Sequence, residues 1–167
     1  IDKPQDAAKF LPQGKSAILG EADAAIGEFV PNNPAAVIHH LHFHRAFKTA
    51  YELNLMRKAQ RKAVSGHIAA RAAFKAGESE AGIHLAYLQA AGHTDNDLPY
   101  NNIVCLHENG ATLHYQYKRF DKPDEHRSLL IDAGAEFDGY ASDITRTWGN
   151  GDTRFGDLVN AVDKEQQ

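Results

Sequence analysis

The spacing of apolar residues changes partway along the chain. From residue 49 to 92 they recur at helical spacing, and from 103 onward they fall in short runs bounded by turn residues. Thr49 and Glu52 make a capping-box pattern, in which a hydroxyl and a carboxylate satisfy free backbone donors at a helix start. Leu53, Met56, Ala59, Ala63, Ala70 and Phe74, with His67 or Ile68 among them, then mark the inner face of a long helix that Gly77 closes. A second helix is predicted over 79–92, burying Ile83, Ala86, Tyr87 and Ala90. Strands are predicted at 103–106, 128–133 and 140–148, with 135–139 between the last two. Asn109-Gly110 suits a two-residue hairpin turn, with 112–117 returning beside the first strand. Pro123 marks a turn at 121–125, and 155–167 reads as a further helix. Helices followed by hairpin strands predict an α+β fold.

The opening segment is different. Residues 1–36 are rich in Ala, Pro, Gly and acidic side chains, with helical turns predicted at 6–9 or 22–26 and a short strand at 17–21. This stretch is too short to bury a core alone. Pro31-Asn32-Asn33-Pro34 reads as a turn or linker, because each proline restricts itself and its predecessor. Residues 37–44 are predicted as a strand, which would put His40, His42 and His44 on one face. Three alternate imidazoles could hold zinc, although no acidic or cysteine partner lies near them. Hydrogen bonding to backbone or water is the plainer role.

A chain of 167 residues with 43% hydrophobic and 24% charged residues fits one average domain or parts of two. A net charge of -4 gives no support to a nucleic-acid partner. No apolar run approaches the roughly 18 residues that span a bilayer. There is one cysteine, Cys105, so no internal disulfide forms. This agrees with a reducing compartment, and a cytoplasmic protein without a signal peptide is expected. Cys105 lies in an apolar strand and reads as core. His67 and His84, on helices, read as structural, and Trp148 as packing.

The chemistry concentrates in LLIDAGAEFDGYASDITRTW, residues 129–148. Asp132 and Asp143 are eleven positions apart on two strand-like runs. An even loop between the strands puts them on the same face. A turn centred between Phe137 and Asp138 would pair them directly, with Cβ atoms roughly 5 Å apart. A turn at Asp138-Gly139 would make them diagonal neighbours, roughly 7–8 Å apart. An odd loop without a bulge would separate them. Two carboxylates that close repel unless a proton or a cation compensates. Hard divalent ions suit such a place: Mn²⁺ or Mg²⁺, with Zn²⁺ or Co²⁺ as alternatives. A carboxylate bridging two ions belongs to a binuclear hydrolase centre, where the ions acidify a shared water and polarise the scissile carbonyl.

The same stretch closely resembles the first metal-binding hairpin of the pita-bread metallopeptidases, family M24. Within them it resembles the branch of bacterial Xaa-Pro dipeptidases (prolidases) and organophosphorus acid anhydrolases. The resemblance continues upstream through HFHRAFKTAYELNLMRKAQRKAVSGHIAA, NDLPYNNIV and HENGATLHYQY, and covers roughly residues 37–159. It implies a pita-bread (creatinase/aminopeptidase-like) catalytic domain, of which 45–167 would be the first half. Residues 1–44 would be the C-terminal part of an N-terminal α/β domain. It implies two Mn²⁺ per complete site, with Asp132 a ligand of one ion and Asp143 the bridge. Thr145 would support the site from behind. His114 would sit near the substrate, stabilising the developing oxyanion or shuttling a proton, and Tyr100 would line a substrate pocket. Around Asn109-Gly110 it implies a turn leading into His114 instead of a simple hairpin.

The activity implied is hydrolysis of Xaa-Pro dipeptides by a homodimer, with organophosphate hydrolysis as a side activity. Aminopeptidase P is the alternative within the class, and a non-catalytic pita-bread binding module lies outside it. Retention of both aspartates argues against such a module. The family completes its site with a histidine and two glutamates well downstream. Only 24 residues follow Asp143 here, with Glu165 as their one glutamate and no histidine. The expectation is therefore a truncated portion of a longer enzyme, binding metal weakly and inactive in isolation.

Overall fold

The computed structural model describes residues 14–21, 23–24 and 30–167. The chain divides into two compact units, Ile1–Thr49 and Ala50–Gln167.

In the first unit the turn predicted at 6–9 lies outside the described residues, as does most of the one at 22–26. The predicted strand at 17–21 does not form a ladder. Two asparagine side chains take the place of a neighbouring strand. Asn32 Oδ1 accepts from the Ile18 amide at 3.0 Å, and Asn33 Oδ1 accepts from the Gly20 amide at 3.1 Å. Their amide groups donate back to Ser16 O and Gly20 O, both at 2.9 Å.

Residues 37–44, predicted as a strand, belong to helix α1, Ala35–Ala46, which starts directly after Pro34. Proline is preorganised for a helix start, and two alanines follow it. No residue of α1 is buried, so the alternation that suggested a strand answers to no core. In the helix the three-imidazole face disappears. His40 and His44, one turn apart, have ring centroids 4.2 Å apart, while His42 points elsewhere on the helix. Among the described residues no group of three or more histidine, cysteine or acidic side chains is placed to hold a metal ion.

The second unit is α+β, as predicted. Helix α2 spans Ala50–Lys75 and buries Leu55, Ala59, Ala63, Gly66, His67, Ala70 and Phe74. Leu55 is buried where Leu53 was expected, and Ile68 is exposed where His67 is buried. The small residues bring helix α3, Glu80–Ala91, very close. A Cβ on Gly66 would lie 2.6 Å from the Tyr87 ring. Gly77 (φ +81°) ends α2 in a Schellman motif, with Glu78 N donating to Ala73 O at 3.1 Å and Gly77 N to Phe74 O at 3.1 Å. Ser79 caps α3 through the Gly82 amide, and Gly92 closes it in the left-handed conformation. Ala86 and Ala90 stay outside the core, which takes Ile83, His84, Tyr87, Leu88 and Ala91 from α3.

Strands β1 (Ile103–Leu106), β2 (Ser128–Ala133) and β5 (Ile144–Gly149) form an antiparallel sheet in the order β1-β2-β5. Strands β3 (Glu136–Phe137) and β4 (Tyr140–Ala141) make a hairpin between β2 and β5. β2 alternates strictly. Leu129, Ile131 and Ala133 pack against Phe74, Ile83 and Tyr87 of the helices, while Ser128, Leu130 and Asp132 face away. The one strand predicted over 140–148 is thus divided into β4 and β5, with Ser142 and Asp143 at the break. Helix α4, Thr153–Gln166, is capped by Asp152, which accepts from the amides of Arg154 and Phe155.

The return strand predicted at 112–117 is absent. A 3-10 helix at His107–Ala111 follows β1, and 112–118 has no regular structure beyond a turn. Gly110 does not take a positive φ, so the Asn-Gly pair does not form the mirror-image turn a hairpin needs. Asn109 is held instead by Glu80 and Tyr115. Left-handed backbone falls on His107 (φ 55°) and His114 (φ 53°). No helix among the described residues is long and apolar enough to cross a membrane.

Candidate metal centre

The β3–β4 turn decides where the aspartates fall. Asp138 (φ 50°) and Gly139 (φ 80°) form a two-residue loop with both φ positive, the geometry Asp-Gly favours, and Phe137 pairs with Tyr140. The register this sets pairs Asp132 with Thr145 and Ala133 with Ile144. Asp143 is therefore the diagonal neighbour of Asp132 on one face of the hairpin, the second of the two registers open to the sequence.

Helix α2 holds this hairpin. Tyr140 donates its hydroxyl to Glu52 at 3.0 Å, Lys58 lies 4.5 Å from the Phe137 ring, and Ser142 Oγ contacts Ala59 O at 3.4 Å. Ser142 Oγ also accepts from the Ala135 amide at 3.0 Å. The chain just before Asp143 is thereby fixed from both sides.

Tyr100 comes in from the 98–102 loop. Its hydroxyl lies 2.9 Å from Asp132 Oδ1 and 2.9 Å from Asp143 Oδ1. A phenol has one proton, so it donates to one carboxylate while the other faces its lone pairs. Burial, reinforced by the two carboxylates, pushes the Tyr100 pKa well above its ordinary value. The hydroxyl relieves only part of the repulsion between the acids, and a proton or a cation is the remaining remedy. Two carboxylates suit a hard divalent ion but do not fill its shell.

A cleft of about 480 Å³ is lined by Tyr100, Asn101, Ile103, His114, Gln116, Asp132 and Asp143. Four of the five site residues expected from the sequence thus meet in one place. Thr145, the fifth, is the cross-strand partner of Asp132 and lines an adjoining cleft of about 930 Å³ with Asp143 and α4. Sequence reasoning missed Asn101 and Gln116. It also missed Gly134, where an added Cβ would collide with Ser142 O and lie 2.8 Å from Tyr100 Cε1.

Behind the Tyr100 loop, His84 bonds Asp95 Oδ1 through Nε2 at 2.8 Å, and its Nδ1 lies 3.5 Å from Asn102 Nδ2. His67 Nε2 lies 3.1 Å from Ala133 O beneath the hairpin. Both contacts suit a neutral ring protonated at Nε2. Burial lowers the pKa of each, against opposing hydrogen bonds to Asp95 and Ala133. Below pH 6.5 the unfolded chain takes up protons at these positions before the folded chain does. Their contribution to stability is therefore complete above 6.5 and falls as pH drops, by at most about 1.4 kcal/mol per pH unit for each histidine. Urea midpoints should fall between pH 7.5 and 5.5, and His67→Gln should flatten that fall.

A convergent carboxylate pair on a helix-braced hairpin of an α+β unit is the kind of place a divalent metal ion suits. The model of metallopeptidase family M24 matches residues 54–167, and the chain belongs to that divalent-metal family. It is 53% identical to an Xaa-Pro dipeptidase of Xanthomonas oryzae pv. oryzae over 99% of this chain and 38% of the relative. It is 52% identical to an Xaa-Pro dipeptidase of Stenotrophomonas maltophilia over 100% of this chain and 38% of the relative. Among solved structures, zinc-substituted Escherichia coli aminopeptidase P in complex with product superposes with a TM-score of 0.57 at 31% identity, covering 72% of this chain and 27% of that one. The chain thus spans 38% of the length of the curated relatives it matches.

Proposed function

We propose that the protein of which this chain forms part is a Mn²⁺-dependent Xaa-Pro dipeptidase. The observation that carries this reading is the convergence of Asp132, Asp143 and His114 on one cleft, with the Tyr100 hydroxyl between the acids. The names of the curated relatives support the substrate class. In this reading Asp132 and Asp143 would hold the divalent metal, with further ligands from outside residues 1–167. Divalent ions held there supply Lewis acidity toward a carbonyl and toward water. His114 donates a hydrogen bond to the carbonyl oxygen as negative charge develops on it. Tyr100 shapes the pocket beside the acids, and Thr145 steadies Asp132 from the neighbouring strand.

Residues 1–44 are assigned to the end of an N-terminal domain and 45–167 to the first half of the catalytic domain. The enzyme is proposed to be a homodimer, by resemblance to its family, and to be cytoplasmic, in keeping with a single buried free cysteine. Mn²⁺ is preferred over Zn²⁺ or Co²⁺ because hard carboxylate oxygens are the donors present.

Aminopeptidase P is the second reading, favoured by the fold similarity to that enzyme. Comparing an Xaa-Pro dipeptide with the same sequence extended by one residue, using the complete protein and Mn²⁺, decides between them. Preferential cleavage of the dipeptide is expected. Preferential cleavage of the longer peptide would establish the aminopeptidase instead.

A further inference from the structure

Glu80, the first residue of α3, is 1% exposed. Its two oxygens take four donors. Oε1 accepts from the Leu106 amide at 2.9 Å and from Asn109 Nδ2 at 2.8 Å. Oε2 accepts from the Tyr115 hydroxyl at 2.9 Å and from the Arg119 amide at 3.0 Å. The Ala81 amide donates to Arg119 O at 3.0 Å, so the start of α3 grips the same point twice.

Those donors lie on both sides of His114. Leu106 and Asn109 precede it, and Tyr115 and Arg119 follow it. The segment between them has no strand partner, and Leu113 is 84% exposed. His114 itself sits at φ 53°, a backbone region that costs a side-chain-bearing residue about 1–2 kcal/mol. Such a conformation persists only where its surroundings impose it. Tyr115, 7% exposed and packed with Ile103 and Cys105, is the one buried residue of 111–120, and its hydroxyl ends on Glu80.

We propose that Glu80 is the positioning residue for His114: its carboxylate pins both flanks of the loop and so holds the imidazole over the Asp132–Asp143 cleft. The catalytic part of this claim rests on the reading that His114 acts on substrate. A carboxylate is required because only it accepts on both oxygens. In Glu80→Gln the amide nitrogen would face either the Leu106 backbone amide or the Arg119 backbone amide, donor against donor.

The test uses the complete protein with Glu80→Gln, Glu80→Asp and Tyr115→Phe. It reads amide exchange of 112–119, the His114 ring resonances by NMR, Mn²⁺ binding, kcat and KM. In Glu80→Gln, exchange of 112–119 should rise while α2 stays protected, and the His114 ring resonances should shift and broaden as the ring loses its fixed place. kcat should fall about 10- to 100-fold, since small misplacements of a reacting group cost that much, with KM and Mn²⁺ binding within about twofold. Glu80→Asp should recover part of the loss, and Tyr115→Phe should give a weaker form of the same pattern. If Glu80→Gln does not fold, Tyr115→Phe decides by the same readouts. Unchanged exchange and unchanged His114 ring resonances in folded variants would overturn the proposal, as would a kcat loss that tracks lost Mn²⁺. If the wild-type protein cleaves no Xaa-Pro dipeptide, the functional reading falls, and the NMR and exchange data still decide the positioning claim.

Discussion

Gly134→Ala should destabilise the second unit by about 3 kcal/mol or more, beyond the usual cost of overpacking. The new methyl would collide with Ser142 O and meet Tyr100 Cε1 at 2.8 Å and Pro99 Cγ at 3.0 Å. Two of these neighbours cannot give way cheaply. Ser142 is tied to Ala135 through its amide at 2.9 Å and through its hydroxyl, and Pro99 is rigid. Tyr100 would have to leave the carboxylates. Gly156→Ala in α4 is the natural control, since nothing lies within 4 Å of its added Cβ. It should be neutral or stabilising by at most about 1 kcal/mol. Urea unfolding of both variants measures the difference, and equal midpoints would mean that the hairpin is looser than described.

Asp143→Asn in the complete protein should reduce metal-dependent turnover by more than about 100-fold, above the range typical of residues that merely orient a ligand. An amide keeps the size and the hydrogen bond to Tyr100 but removes the charge. Folding should survive, because Asp143 is exposed and its described hydrogen bond is to Tyr100 alone. Stability should rise slightly in the absence of metal, as one of two repelling charges is gone. Hydrolysis of an Xaa-Pro dipeptide against Mn²⁺ concentration, together with a melting curve, separates these effects.

Much of this site could be read from residue order. The odd separation of Asp132 and Asp143 gives a shared face for any even loop, and Asp138-Gly139, one of the two turns the sequence left open, is the one the structure takes. Ser79 and the glycines at 77 and 92 mark the helix ends because caps are local chemistry. Two misreadings have opposite causes: a tertiary partner outweighed local pattern in one, and no buried partner stood behind the pattern in the other. Asn109-Gly110 has the composition of a hairpin turn, but Glu80 takes the asparagine side chain. Residues 37–44 alternate like a strand, yet α1 buries nothing, so alternation there carries no information about a core. The part of Glu80 was not legible at all, since an acid in the first turn of a helix is ordinarily a solvated partner of the helix dipole.

The most direct test of the account is a Mn²⁺ titration of the complete, chelator-treated protein beside its Asp132→Asn/Asp143→Asn double variant. Bound metal and Xaa-Pro dipeptide hydrolysis would be followed together. The wild type should bind two Mn²⁺ and gain activity in step with them, while the variant should bind neither tightly and stay inactive. A variant that binds two ions and turns over dipeptide would contradict the assignment of these aspartates to the metal centre.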